Sequence, residues 1–109
     1  MVLSFTNTEG FVSESALLDT AQDTKVLTKQ GFALLSRGNY SGALNKFDRA
    51  IEQDADNVKA WLYRAQAYIQ MREYELALQN FREVLRLDPT EARAWHGQGV
   101  AKAELRLYP

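Results

Sequence analysis

The chain has 109 residues, 46% apolar and 25% charged, with a formal net charge of −1, which fits one small globular domain and offers no bulk attraction for nucleic acid. It has no cysteine, which excludes disulfides, thiolate metal sites and a cysteine nucleophile. No apolar run approaches the ~18 residues of a membrane span, and the start MVLSFTNTEG lacks the basic residues and apolar core of a secretory signal, so a cytoplasmic protein without a membrane partner is expected.

Charge is uneven along the chain. Residues 1–23 carry Glu9, Glu14, Asp19 and Asp23 and no Lys or Arg, for −4, whereas residues 24–109 sum to +3. Residues 1–23 read as an acidic leader, partly flexible around Phe5 and Phe11, with a capping helix near 13–23 that contains Leu17, Leu18 and Ala21. From residue 24 the apolar pattern is helical, with steps of three and four. Leu27, Gly31, Leu34 and Leu35 form one stripe, and Ala43, Leu44, Phe47, Ala50 and Ile51 form the next. Arg37-Gly38-Asn39 separates them as a helix stop and a turn. Asp54-Ala55-Asp56-Asn57 ends the second helix, and Asn57 can cap the third. That helix carries Ala60, Trp61, Ala65, Tyr68 and Ile69. The fourth carries Ala77, Leu78, Phe81, Val84 and Leu85. Asp88-Pro89-Thr90 closes it, because Pro89 cannot continue a helix and biases Asp88 away from helical geometry; Thr90 is the expected cap of a fifth. Helices are thus predicted near 24–37, 40–53, 58–71, 74–87 and 91–107.

These helices repeat. Tyr40, Tyr74 and Tyr108 are spaced by 34 residues. The same step relates Leu27, Trp61 and Trp95; Gly31, Ala65 and Gly99; Ala33, Ala67 and Ala101; and Lys25, Lys59 and Arg93. Ala43/Ala77, Leu44/Leu78, Phe47/Phe81 and Asp54/Asp88 keep it too. Small residues at Gly31, Ala65 and Gly99 opposite Ala43 and Ala77 let paired helices approach, with Phe47 and Phe81 filling the groove beside them. An internal period of this length means stacked helix pairs, each burying its apolar side on the next.

The register resembles the tetratricopeptide repeat, whose pattern is Trp-x2-Leu-Gly-x2-Tyr, then Ala-x3-Phe, then Pro. Residues 58–91 match through Trp61, Tyr68, Ala77, Phe81 and Pro89, and depart at Arg64 and Ala65. Residues 24–57 match through Gly31, Ala43 and Phe47, with Leu27 for Trp, Leu34 for Tyr and Ala55 for Pro. Residues 92–109 begin a third unit with Trp95, Gly99 and Tyr108. The resemblance implies an all-α fold, a right-handed superhelix of about two and a half helix-turn-helix units (24–57, 58–91 and a partial 92–109). The last helix has two readings. Trp95, Gly99 and Tyr108 favour the start of a further unit in a longer array, and Lys102 and Arg106 favour a terminal cap.

The family's first helices line a concave groove that takes a peptide or a helix of a partner protein. Helical spacing away from the packed stripe places Lys25, Thr28 and Phe32 on that face, then Lys59, Leu62, Gln66 and Ile69, then Arg93, His96 and Val100. Lys25, Lys59 and Arg93 in register suit acidic groups, and Phe32 and Leu62 suit an apolar anchor. Some family members clamp a chaperone's C-terminal carboxylate with Lys, Asn and Arg side chains. The matching positions are Thr28, Phe32, Tyr63, Arg93 and Gly97, and only Arg93 fits, which argues against that ligand.

No catalysis, metal or cofactor is expected. The lone His96 has no second ligand, the Ser and Thr residues have no partner base, and there is no Gly-rich phosphate loop. Trp61 and Trp95 read as inter-repeat packing, and +3 is too weak a charge for nucleic acid. The expected function is a non-enzymatic protein-interaction scaffold. A structural segment of a longer repeat protein, self-associating weakly through its C-terminal end, or a regulatory domain of one, is the alternative.

Overall fold

The computed structural model describes residues 23–107, as five helices: α1 (Thr24–Ser36), α2 (Tyr40–Gln53), α3 (Val58–Gln70), α4 (Tyr74–Leu87) and α5 (Ala92–Leu107). The leader with its expected capping helix, and Tyr108, lie outside the described residues.

Turn chemistry sets the helix ends. Gly38 takes a left-handed φ of 80°, and its neighbour Asn39 returns its N–H to the Leu34 carbonyl at 2.9 Å. One repeat later the same turn recurs, with the Glu73 N–H on the Tyr68 carbonyl at 2.8 Å, but Arg72 holds the left-handed position at φ 64°. A side chain there costs about 1 kcal/mol relative to glycine. Arg72→Gly is therefore expected to raise the thermal midpoint by a few degrees, as measured by circular dichroism, with no change in helix content.

Side chains cap most helix starts. Asp23 accepts from the Lys25 N–H at 2.9 Å, Asn39 from Gly42 at 3.0 Å, and Asn57 from Ala60 at 3.1 Å. Thr90 does not cap α5. Asp88 Oδ1 captures both its N–H (3.1 Å) and its hydroxyl (2.6 Å), the Thr90 contacts hold the Asp88 carboxyl below its ordinary pKa, and α5 starts two residues later. The Glu91 carboxylate takes the Arg93 N–H instead. The connectors also repeat bond for bond. The Trp61 indole donates to the Ala55 carbonyl at 2.8 Å, and the Trp95 indole donates to the Pro89 carbonyl at 2.8 Å. A main-chain carbonyl serves equally at Ala55 and Pro89, so the absent proline costs the first unit nothing at this contact.

Phe47 and Phe81, fully buried, are the largest side chains of the core, with Leu27, Leu62 and Val84. Alanines at 43, 50, 60, 65, 67, 77, 94 and 101 are buried around them. Phe47 presses on α1 so closely that a Cβ at Gly31 would lie 2.5 Å from its ring. At the third position of that register the expectation is not met: a Cβ at Gly99 would meet nothing within 4 Å, whereas one at Gly97 would lie 2.2 Å from the Phe81 ring. Trp95, in register with the buried Leu27, is 56% exposed.

Successive helices pack as neighbours, and α1 also touches α3, as α3 touches α5; α2 and α4 make no comparable contact. The row α1–α3–α5 is therefore the tighter side of the stack. Crowding on one side and spreading on the other bends a solenoid and makes the tighter side concave.

Candidate peptide groove

Lys25 and Phe32 of α1, Lys59 and Tyr63 of α3 and the edge of Thr28 line a cavity of about 540 Å³, together with Lys29, Asp54 and Asn57. Gln66 and Ile69 of α3, and Arg93, His96 and Val100 of α5, line a second of about 1000 Å³, which reaches Leu35, Arg37, Gly97 and the rim of Phe81. Both open on the row of first helices. Of the ten residues expected on this face, nine line one cavity or the other.

Leu62 is the exception. It is fully buried against Ala65, Phe81, Val84 and Ala94, so it belongs to the core and cannot touch a ligand. A helix turns by about 100° per residue, so the steps of three and four from Lys59 lead to either Leu62 or Tyr63. The apolar residue went inward and Tyr63, with a polar tip, took the surface. Thr28, in register with Leu62, is also nearly buried, at 4% exposure. Its hydroxyl donates to the Thr24 carbonyl at 2.7 Å and accepts from the Asn57 side-chain amide at 3.0 Å, which ties the start of α1 to the start of α3.

An aromatic pair forms one wall of the smaller cavity. The Phe32 and Tyr63 rings stand 4.7 Å apart, tilted by 43°, and Tyr63 also leans on Phe47 at 6.2 Å. Phe32 is 45% exposed although it sits mid-helix on a packed domain. Sequence reasoning placed Tyr63 only by analogy with the carboxylate-clamping members; its four-residue step from Lys59 was the signal that could have put it in the groove.

The three expected cations differ in state. Arg93 forks onto Glu91, with Nε–Oε2 at 2.9 Å and Nη2–Oε1 at 3.2 Å. That bond, and then the Tyr63 hydroxyl, hold its pKa above the ordinary value, and Glu91 is lowered first by the same hydrogen bond. Lys25 and Lys59 pair with no described residue, and neither does Lys29 beside them. Asp54 is the one carboxylate in the smaller cavity, and the larger has none among its lining residues. Among the described residues no three His, Asp or Glu side chains gather as a metal site. No described helix is long and apolar enough to cross a membrane.

The family model described as "Tetratricopeptide repeat" matches residues 34–103, more than half of the sequence. The chain belongs to the tetratricopeptide repeat family. Solved tetratricopeptide structures agree. The second such domain of Spaghetti (RPAP3), bound to the HSP90 peptide SRMEEVD, is 25% identical, covers 84% of this chain and 83% of its own, and superposes with a TM-score of 0.75. The Arabidopsis OM64 domain is 24% identical over 78% of this chain and 70% of its own, with a TM-score of 0.74. MamA is 22% identical over 84% of this chain, with a TM-score of 0.78, and this chain spans about half of its length (53%). No curated protein matches the sequence. The all-α superhelix of stacked helix pairs is thus the fold, and the tetratricopeptide family supplies a protein-interaction scaffold.

Proposed function

We propose that this tetratricopeptide domain is a non-enzymatic cytoplasmic module that binds an extended acidic segment of a partner protein along α1, α3 and α5. The observation that carries this reading is the Phe32–Tyr63 pair, Phe32 exposed and Tyr63 half-buried, on the wall of a cavity with unpaired lysines and beside a larger one with an apolar floor. Lys25, Lys29 and Lys59 orient the carboxylates. Phe32, Tyr63, Ile69 and Val100 take an apolar side chain, and Gln66, His96 and Arg93 offer hydrogen bonds along the way. The groove is preformed by core packing, so little ordering cost falls on the domain when it binds.

The ligand differs in kind from the HSP90 peptide that Spaghetti holds. At the positions where clamping members place their polar set, Gly97 has no side chain, Tyr63 is stacked on Phe32, and the Thr28 hydroxyl is already bonded to Asn57. The test is fluorescence anisotropy with two labelled peptides, SRMEEVD and a ten-residue peptide of Glu and Gly around one central Phe. The Phe-bearing peptide is expected to bind at least ten-fold tighter. Phe32→Ser together with Lys59→Glu should weaken it about ten-fold, or ~1.4 kcal/mol. Equal binding of both peptides to both proteins would remove the groove as the site.

A further inference from the structure

Residues 1–22 of this chain have the chemistry that the groove asks for. They carry Glu9, Glu14 and Asp19, no Lys, Arg or His, and two phenylalanines, Phe5 and Phe11. The face that would receive them is its complement. Lys25, Lys29 and Lys59 surround the smaller cavity against Asp54 alone, and the larger one has Arg37, Arg93 and His96 on its walls with Leu35, Ile69 and Val100 between them.

The path is short and begins in the right place. Asp23, the cap of α1, adjoins Thr24 and Lys25, which already line the smaller cavity. Lys59 in the smaller cavity and Ile69 in the larger are about 15 Å apart along α3 at the helical rise. Phe11 lies twelve residue steps from Asp23, a reach of about 18 Å with residues 13–23 in the expected helix and up to about 40 Å when extended. The chain can therefore lay Asp19 and Glu14 beside the lysines and still bring Phe11 to the larger cavity without full extension. A tether of this length holds its end at an effective concentration on the order of 1 mM, so a contact too weak to see between separate molecules is largely formed within one.

We propose that the chain's own acidic segment docks in the α1–α3–α5 groove, with Phe11 in the cavity walled by Ile69, Gly97 and Val100, and competes there with the partner. It rests on the groove being a ligand surface. The segment acts as a built-in pseudo-ligand: a partner gains access only by outcompeting it, and any change that removes its charge or its phenylalanines sensitises the domain.

The absence of cysteine makes the test clean. A nitroxide attached to Thr8→Cys in the full chain reports every backbone amide near the segment by paramagnetic broadening. The expected result is broadening at Gln66, Ile69, His96 and Val100, none at Glu75 and Arg82 on α4, and relief when Phe11→Ser is added or the salt is raised to 0.5 M. Broadening confined to the first turns of α1, or equal on both faces, overturns the proposal. So does broadening in a mixture of spin-labelled unenriched chain with label-free nitrogen-15 chain, because that would place the segment on a neighbouring copy. Phe5→Ser with Phe11→Ser should also tighten binding of the Glu/Gly/Phe peptide about three-fold, as expected if the tethered contact has a Kd near half its effective concentration; unchanged affinity argues the segment does not compete. If that peptide binds no version of the chain, the proposed function falls while the label still decides where the segment lies.

Discussion

Gly97→Ala is expected to lower stability by about 1 kcal/mol, and Gly99→Ala, two residues on in the same helix, to raise it by about 0.5–1 kcal/mol. A methyl at Gly97 would stand 2.2 Å from Cζ of Phe81, with the ring's Cε atoms at 2.5 and 2.6 Å. The ring is 1% exposed and packed among Leu62, Ala65, Ala77, Val84 and Ala94, so only its rim, at the larger cavity, has room to yield. Overpacking of this kind costs about 1–3 kcal/mol, and the ~1 kcal/mol that alanine gains over glycine inside a helix offsets part of it, leaving a net loss of about 1 kcal/mol. At Gly99 the same methyl meets open space, and only the propensity gain remains. In a domain of this size ~1 kcal/mol corresponds to roughly 4–8 °C in the midpoint, so thermal melts of the two variants should move in opposite directions. Two equal downward shifts would mean that α5 does not sit on Phe81 as described.

The different surroundings of these two glycines show what the repeat period could and could not reveal. Spacing of 34 residues sufficed to pair α1 with α2 and α3 with α4, because each phenylalanine follows a small residue by 16 positions, Gly31 to Phe47 and Ala65 to Phe81. It also led to Gly99 as the third member, since a period treats every unit alike. The units differ in how they house the ring. Phe47 lies between Gly31 and Tyr63, whereas Phe81 lies between Ala65 and Gly97. The extra methyl of Ala65 is matched by the missing side chain at Gly97 on the far side. That exchange is a packing relation across three helices, and no single-helix pattern carries it. The lining of the two cavities was legible in the same partial way. Lys25, Phe32, Lys59 and Arg93 follow from helical steps, but the choice between Leu62 and Tyr63 depends on which one the core can absorb. Thr90 failed as a cap for a local reason: its hydroxyl is turned back to donate to Asp88, and the helix starts at Ala92, so Glu91 stands at its end and accepts the Arg93 N–H.

Arg64 stands where the family pattern has leucine, and its replacement is expected to cost about 2–3 kcal/mol. Its Nε donates to Asn80 Oδ1 at 2.8 Å and its Nη1 to Asp48 Oδ1 at 2.7 Å, and its guanidinium lies 4.8 Å from the Trp61 ring centroid. One side chain of α3 thus links α2 and α4 on the side where those two helices have no comparable contact of their own. The terms are unequal. The Asp48 carboxylate is half exposed, at 52%, so that ion pair contributes little, ~0–1 kcal/mol. The stacking on Trp61 adds about 0.5–1 kcal/mol. Asn80 decides the sum, because it is 4% exposed and its amide nitrogen is already spent on the Leu76 carbonyl at 2.7 Å. Without Arg64 its oxygen stays buried and unpaired, which costs about 1–3 kcal/mol. A double-mutant cycle separates the parts. Arg64→Met and Asn80→Leu, each destabilising alone, should together cost less than their sum by 1 kcal/mol or more, since removing both partners leaves no orphaned acceptor. Strict additivity in urea unfolding would mean the Arg64–Asn80 bond does not couple α3 to α4. Asp48→Ala should move the midpoint by less than either.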